Sequence, residues 1–200
     1  MISRIVRTAA FAGIAIASTS TSALADSELY MLDASHSQVV FSYSHLGLST
    51  TFGMFSGFEG ELMLDQDNPA ASSVSVSIPT LAMFTGWEAR DGHLQSGDFL
   101  GSGEESVVTF VSTSIEMTGD DTAIIRGDLT VNGQTAEVAL DTKLNFSGVH
   151  PSPDANGALA AGFTATTQIL RSDFGAGAFA PFVSDELDVT ISIEAMRAAS

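Results

Sequence analysis

The sequence predicts an all-β fold: an extended antiparallel eight-stranded barrel with a short helical insertion near one barrel end. Three observations point there. From Tyr30 onward apolar residues recur with a period of two, the side-chain repeat of strands with one buried face. Turn residues separate the alternating runs. Several runs approach ten residues, roughly 30 Å at ~3.3 Å per residue, which is long for an ordinary sandwich and suits a barrel that closes without exposed edges.

In chain order the runs fall near 29–34, 37–46, 52–65, 72–79, 106–117, 122–131, 135–147, 160–170 and 186–196. Phe41 and Tyr43 alternate with Ser42 and Ser44, and Val74, Val76 and Ile78 with Ser73, Ser75 and Ser77. Ala136, Val138, Leu140, Leu144 and Phe146 oppose Glu137, Asp141, Lys143 and Asn145; Leu187, Val189, Ile191 and Ile193 oppose Asp188, Thr190, Ser192 and Glu194. Asn132-Gly133 reads as a two-residue hairpin turn in which both positions tolerate positive φ. Asp67-Asn68-Pro69 and Gly119-Asp120-Asp121 mark further turns, and Gly148 to Leu159 a long surface loop. Thr85-Gly86-Trp87-Glu88 has the spacing of a capping box, and Gly97 suits a left-handed helix end. On that helix Trp87, Arg90, Asp91 and Leu94 share a face turned toward the barrel, like a plug.

The chain has 200 residues, 44% of them hydrophobic, enough for one globular domain with a real core. Residues 1–25 read as a secretory leader: Arg4 and Arg7, the apolar run Ala9 to Ala17, then Ala23-Leu24-Ala25 as cleavage site. The apolar run is too short for a membrane span, which needs about 20 residues. Cleavage after Ala25 leaves 26–200 as the mature barrel domain and points to the periplasm. It also removes two of the seven basic residues, leaving five against 24 acidic, a net charge of −19. Such a surface repels nucleic acid and anionic headgroups. With no cysteine, disulfides and thiol catalysis are excluded.

The segment "RDGHLQSGDF", Arg90 to Phe99, concentrates polar chemistry in a chain poor in charge. Asp91 and His93 can orient an imidazole, but no serine or cysteine sits in a recognisable nucleophile elbow. His36, His45, His93 and His150 never occur as H-x-x-x-H or H-x-H, so a metal would have to be assembled from distant strands, and none is expected. The reading that needs least is a polar clasp in which Arg90, Asp91, Ser96 and Asp98 hydrogen-bond one another and the strand ends, closing a barrel mouth. Arg171 to Gly175 reads as a second such cluster, a strand-end ion pair with a glycine-assisted turn.

The elements "YMLDASHSQVVFSYSHLGLSTTFGMFSGFEGEL", "RDGHLQSGDF", "VTFVSTSI", "GDLTVNGQTAEVAL", "ILRSDFGA" and "VSDELDVTISIEA", in order from Tyr30 to Ala195, resemble the YceI-like family of periplasmic lipocalin-like proteins. The resemblance implies a barrel enclosing a long apolar molecule, a polyisoprenoid such as an isoprenoid quinone or polyprenyl phosphate. It departs from the family pattern at Leu100 to Phe110, "LGSGEESVVTF", which lacks the usual tyrosine-proline pair.

On that reading Phe41, Tyr43, His45, Phe55, Trp87, Arg90, Asp91, His93, Phe99, Phe110, Phe163 and Arg171 contact the ligand in the lumen or at the mouth. Asp33, His36, Ser96, Asp98 and Asp173 form the clasp. The lipid is ligand and no cofactor is expected. Burying roughly 20 tail carbons at ~0.8 kcal/mol each gives about 16 kcal/mol gross, against an association cost on the order of 4–15 kcal/mol. The 13 phenylalanines, beside two tyrosines and one tryptophan, offer contact area without polar groups needing partners. The expectation is a carrier, not an enzyme, whose oligomeric state is open, a homodimer included. Its rivals are a barrel enzyme acting on a lipid-like substrate and an outer-membrane barrel.

Overall fold

The structure, a computed structural model, describes residues 27–198; the expected leader lies outside the described residues. The strands are β1 (Glu28–Leu32), β2 (Gln38–His45), β3 (Ser49–Phe55), β4 (Glu59–Leu64), β5 (Ser73–Pro79), β6 (Met83–Phe84), β7 (Val107–Met117), β8 (Thr122–Val131), β9 (Gln134–Val149), β10 (Leu159–Leu170) and β11 (Glu186–Arg197). One helix, α1 (Glu88–Gln95), lies between β6 and β7. All pairings are antiparallel.

Eight strands close the ring in the order β1-β4-β5-β7-β8-β9-β10-β11, and β1 pairs back onto β11. The other three strands lengthen three of these staves. β11 gives Ala195–Arg197 to β1 and Asp188–Ser192 to β2, so β1 and β2 form one stave broken at 33–37. β3 and β4 likewise share a stave, and β5 and β6 another. Beyond β6 the wall stops, and the chain from Thr85 to Ser106, with α1, fills that side of the mouth.

The single run expected over 52–65 is therefore two strands. Gly57, at φ 73°, turns the chain between them, and Phe58 points inside, 3% exposed. β6 falls outside the expected runs because two residues show no periodicity. The hairpin turn does form at Asn132-Gly133, with φ of 52° and 71°. The capping box does not: Trp87 is the N-cap residue and makes no side-chain cap. Gly97 is not left-handed either, because Ser96 ends the helix in extended backbone.

Polar faces point outward. Ser73, Ser75, Arg126, Asp128, Glu137, Asp141, Lys143, Asp188, Thr190 and Glu194 are exposed, whereas Ile78, Leu140 and Ala165 are buried. A barrel crossing an outer membrane needs the reverse, an apolar band outside. Bulges adjust the alternation. The register shift between Ser112 and Ser114 changes parity, so Phe110 and Ile115 both face inward although five residues apart. A second shift, opposite Gly162/Phe163, turns Phe146 outward to 40% exposure, against the inward position its alternation suggested.

Each end of the barrel holds a packed cluster. At one end Tyr30, fully buried, packs with Leu62, Leu64, Ala161 and Ala195; toward the mouth Phe41, Tyr43 and Met83 pack with Leu94, Leu100 and Val183. Two glycines let rings lie flat against the wall, one in the mouth-side cluster and one farther round the barrel. A Cβ on Gly53 would sit 2.2 Å from Phe41 Cζ, and one on Gly127 would sit 2.4 Å from Phe110 Cζ. The Gly127 position is tighter, because the same Cβ would meet the Val111 carbonyl at 2.6 Å. Gly127→Ala is expected to cost about 1–3 kcal/mol by overpacking, read from the urea midpoint. Adding Phe110→Leu should recover part of the loss.

Candidate ligand cavity

A cavity of ≈ 270 Å³ lies between the two packed clusters, near the lower end of small-molecule sites at about 300 Å³. Its shape follows from the strands. Leu187, Val189, Ile191 and Ile193, successive inward positions of β11, all line it, a run of roughly 20 Å at ~3.3 Å per residue. The wall is aliphatic and aromatic except for Tyr43, Thr142, Thr167 and Arg171. The Thr142 hydroxyl is spent on the Leu140 carbonyl at 3.3 Å. No carboxylate or imidazole among the described residues lines the space. What it offers a guest is dispersion contact and exclusion of water.

Of the residues expected at the ligand, Phe41, Tyr43, Phe55, Phe99, Phe110, Phe163 and Arg171 line the cavity, and His45, Trp87, Arg90, Asp91 and His93 do not. Trp87 is 63% exposed, and the Arg90 guanidinium lies 6.0 Å over its ring. His45 ends β2 on the surface, bridged to Val183. His93 stands edge-on to Phe99 and Phe179, with Asp98 3.4 Å away.

The clasp is more local than the sequence suggests. Arg90 donates to the Thr85 hydroxyl at 2.8 Å and the Thr85 carbonyl at 2.7 Å, while Asp91 accepts from Thr85 N–H and hydroxyl. Arg90 and Asp91 thus tie the insertion to its own start and bond neither each other nor a strand end. Ser96 Oγ accepts from Asp98 N–H at 3.3 Å. Residues this close in sequence satisfy each other before distant strands compete.

Arg171 carries the longer-range connection. It is 6% exposed, and its guanidinium donates to the carbonyls of Ser184 (2.8 Å), Val183 (2.8 Å), Ala178 (3.2 Å) and Ala176, with the Phe99 ring 5.5 Å away. It does not pair with Asp173 as expected; five fixed donors suit several converging carbonyls better than one carboxylate. Burial lowers its pKa from the usual value, opposed by Asp185 and Tyr43. Asp185, which nothing in the sequence marked, accepts from Ser172 N–H (2.8 Å) and hydroxyl (2.6 Å). Arginine and aspartate together pin loop 171–185 across the mouth.

Asp33 and His36 lie away from the mouth, in the break between β1 and β2. His36 Nδ1 is 2.8 Å from Asp33 Oδ2, Asp33 also accepts from Ser35 N–H and hydroxyl, and buried Ser37 bonds the Glu194 backbone. The Ser35 hydroxyl bond, then the His36 bond, hold the Asp33 carboxyl down at about 2, and Asp33 raises His36. Possible ligand atoms of Asp33, His36 and Glu194 lie within 4.8 Å of one another, an assembly from distant strands.

A closed antiparallel barrel around an apolar hollow, its mouth strapped by an arginine-held loop, defines a barrel of the small-molecule-enclosing kind. The chain belongs to the YceI-like family: residues 30–195 match the model of the YceI-like domain. A UPF0312 protein of Ectopseudomonas mendocina is 39% identical over 162 residues, 81% of this chain and 83% of that protein. Protein YceI of Escherichia coli O17:K52:H18 is 39% identical over 165 residues, 82% and 84% of the two chains. Among solved structures, BcnA of Burkholderia cenocepacia superposes with a TM-score of 0.72 at 20% identity, covering 82% of this chain and 98% of its own. A polyisoprenoid binding domain from Saccharophagus degradans, implicated in plant cell wall breakdown, gives 0.61 at 15% identity, covering 84% and 98%.

Two outcomes follow. Arg171→Met leaves four carbonyls without their donor and is expected to cost at least about 3 kcal/mol in chemical denaturation. For Asp33, whose carboxyl is depressed, the stabilisation is present above the unfolded value near ~3.9 and is lost as pH falls toward about 2. For His36, which is raised, it is full below ~6.5 and is lost as pH climbs through the higher folded value. The pair therefore stabilises most between roughly pH 4 and 6.5, and Asp33→Asn should flatten both arms of the melting temperature plotted against pH.

Proposed function

We propose that the protein is a periplasmic carrier that holds the tail of an isoprenoid lipid, an isoprenoid quinone or polyprenyl phosphate, inside the barrel. The observation that carries this is the cavity: narrow, lined for roughly 20 Å along the tilted strand β11, apolar throughout its middle and blocked at one end by Tyr30 and its neighbours. A branched hydrocarbon chain gains about 0.8 kcal/mol per buried carbon there, and no lining carboxylate is left to desolvate. The fold shared with a polyisoprenoid binding domain supports the ligand class. The leader expected at residues 1–25 supports export. Binding without turnover fits a lining with no nucleophile beside a base.

The test is native mass spectrometry of protein purified from its own host, followed by lipid extraction. One prenyl lipid per barrel is expected. Ala165, 6% exposed, faces the cavity between Thr142 of β9 and Ile191 of β11. Ala165→Phe should fill the bore and abolish the bound mass while circular dichroism still reports the sheet. Retention of the lipid by that variant would place it elsewhere.

A further inference from the structure

The mouth carries an apolar rim that the carrier reading leaves unused. The hairpin tip between β2 and β3 exposes Leu46 (51%) and Leu48 (82%), and the 171–185 loop exposes Phe179 (51%) and Phe182 (68%). The two loops are joined: Leu46 N–H donates to the Phe182 carbonyl at 2.6 Å, and Val183 bridges His45. Val183, next to Phe182, already lines the cavity, so rim and bore are continuous.

Two details show that this exposure is built in. Leu46 and Phe179 have φ of 56° and 65°, a left-handed backbone that bulky side chains rarely adopt and that persists where surrounding structure enforces it. At Leu46 the Phe182 carbonyl, which accepts from its N–H, holds that conformation in place, and both side chains stay exposed. The second detail is charge. In a chain of 24 acidic residues, neither Ser37 to Phe58 nor Phe174 to Ser184 contains a single Asp, Glu, Lys or Arg. These two loops can enter an interface without carrying carboxylates of their own, while the exposed Asp98 stands on the α1 side of the mouth, 3.4 Å from the His93 ring that packs on Phe179.

We propose that this rim docks on the surface of a lipid bilayer, seating Leu46, Leu48, Phe179 and Phe182 among the headgroups and acyl chains so that a tail passes between bilayer and bore out of water. The proposal rests on the carrier reading for its purpose, but its surface stands alone. A bilayer suits the rim better than a second copy of the chain, which would seal the entrance it surrounds. Proteins that lie on a membrane surface bury apolar side chains at the boundary of headgroups and acyl chains, with a strength that grows with the apolar area buried.

The experiment is co-sedimentation of the protein with phosphatidylcholine vesicles at physiological salt, comparing wild type with Leu48→Ser/Phe182→Ser. Both side chains are exposed, so the urea midpoint and extracted lipid content should not change. Vesicle partitioning of the double variant should fall about tenfold or more, with slower transfer of a fluorescent prenyl lipid between vesicles. Equal partitioning of the two proteins, or wild type remaining in the supernatant, overturns the proposal. So does a fall in oligomeric mass with unchanged vesicle binding, which would make the rim a contact between copies. Rim-dependent vesicle binding supports docking whether or not lipid is found in the barrel; a barrel without lipid counts against the carrier reading instead.

Discussion

A protein interior normally fills, because every unfilled volume forfeits dispersion contacts on its walls. This one stays hollow because its wall is held by a different force. The ring of backbone hydrogen bonds from β1 to β11 and back to β1 satisfies the main chain without help from the centre. Side chains need only cover the inner surface. Packing is concentrated at Tyr30 on one side and around Phe41, Tyr43 and Met83 on the other, and these two clusters set where the hollow begins and ends.

The ring is not uniform, and its irregularities shape the mouth. Three staves are broken, at 33–37, 56–58 and 80–82, and each break lets a stave bend while its neighbours run on. The wall then ends at the two-residue β6, leaving an opening that α1 and the 171–185 loop must cover. The helix is held by Thr85, Arg90 and Asp91, within a few residues of itself. The loop is held by Arg171, a buried cation on backbone carbonyls, which is rigid because its fork of donors is nearly saturated. The two covers, anchored so differently, meet where His93 and Phe99 pack on Phe179, so a shift in one is felt by the other.

The barrel was legible in the sequence because period-two alternation is imposed by the pleat itself, and most strands begin and end within a few residues of where the runs place them. What was not legible is what depends on neighbours. The bulges that turn Phe110 and Ile115 to the same side and Phe146 outward are settled between strands, and nothing in their own runs announces them. The polar cluster from Arg90 to Phe99 drew attention by its chemistry, yet Asp91 and His93 stay outside the cavity lining. Arg171 was visible, but its carbonyl partners could not be: backbone acceptors carry no residue signature. The aliphatic lining, by contrast, was present in every alternating run.

Phe41 and Phe110 recline over Gly53 and Gly127, and do so only because those neighbours have no side chain. The calibre of the channel is thus governed from the strand next door, by residues that a guest never meets. A lineage could narrow the hollow by adding a methyl group behind a ring, as at Gly53 where only Phe41 would have to give way, and letting that ring swing inward with every lining residue unaltered.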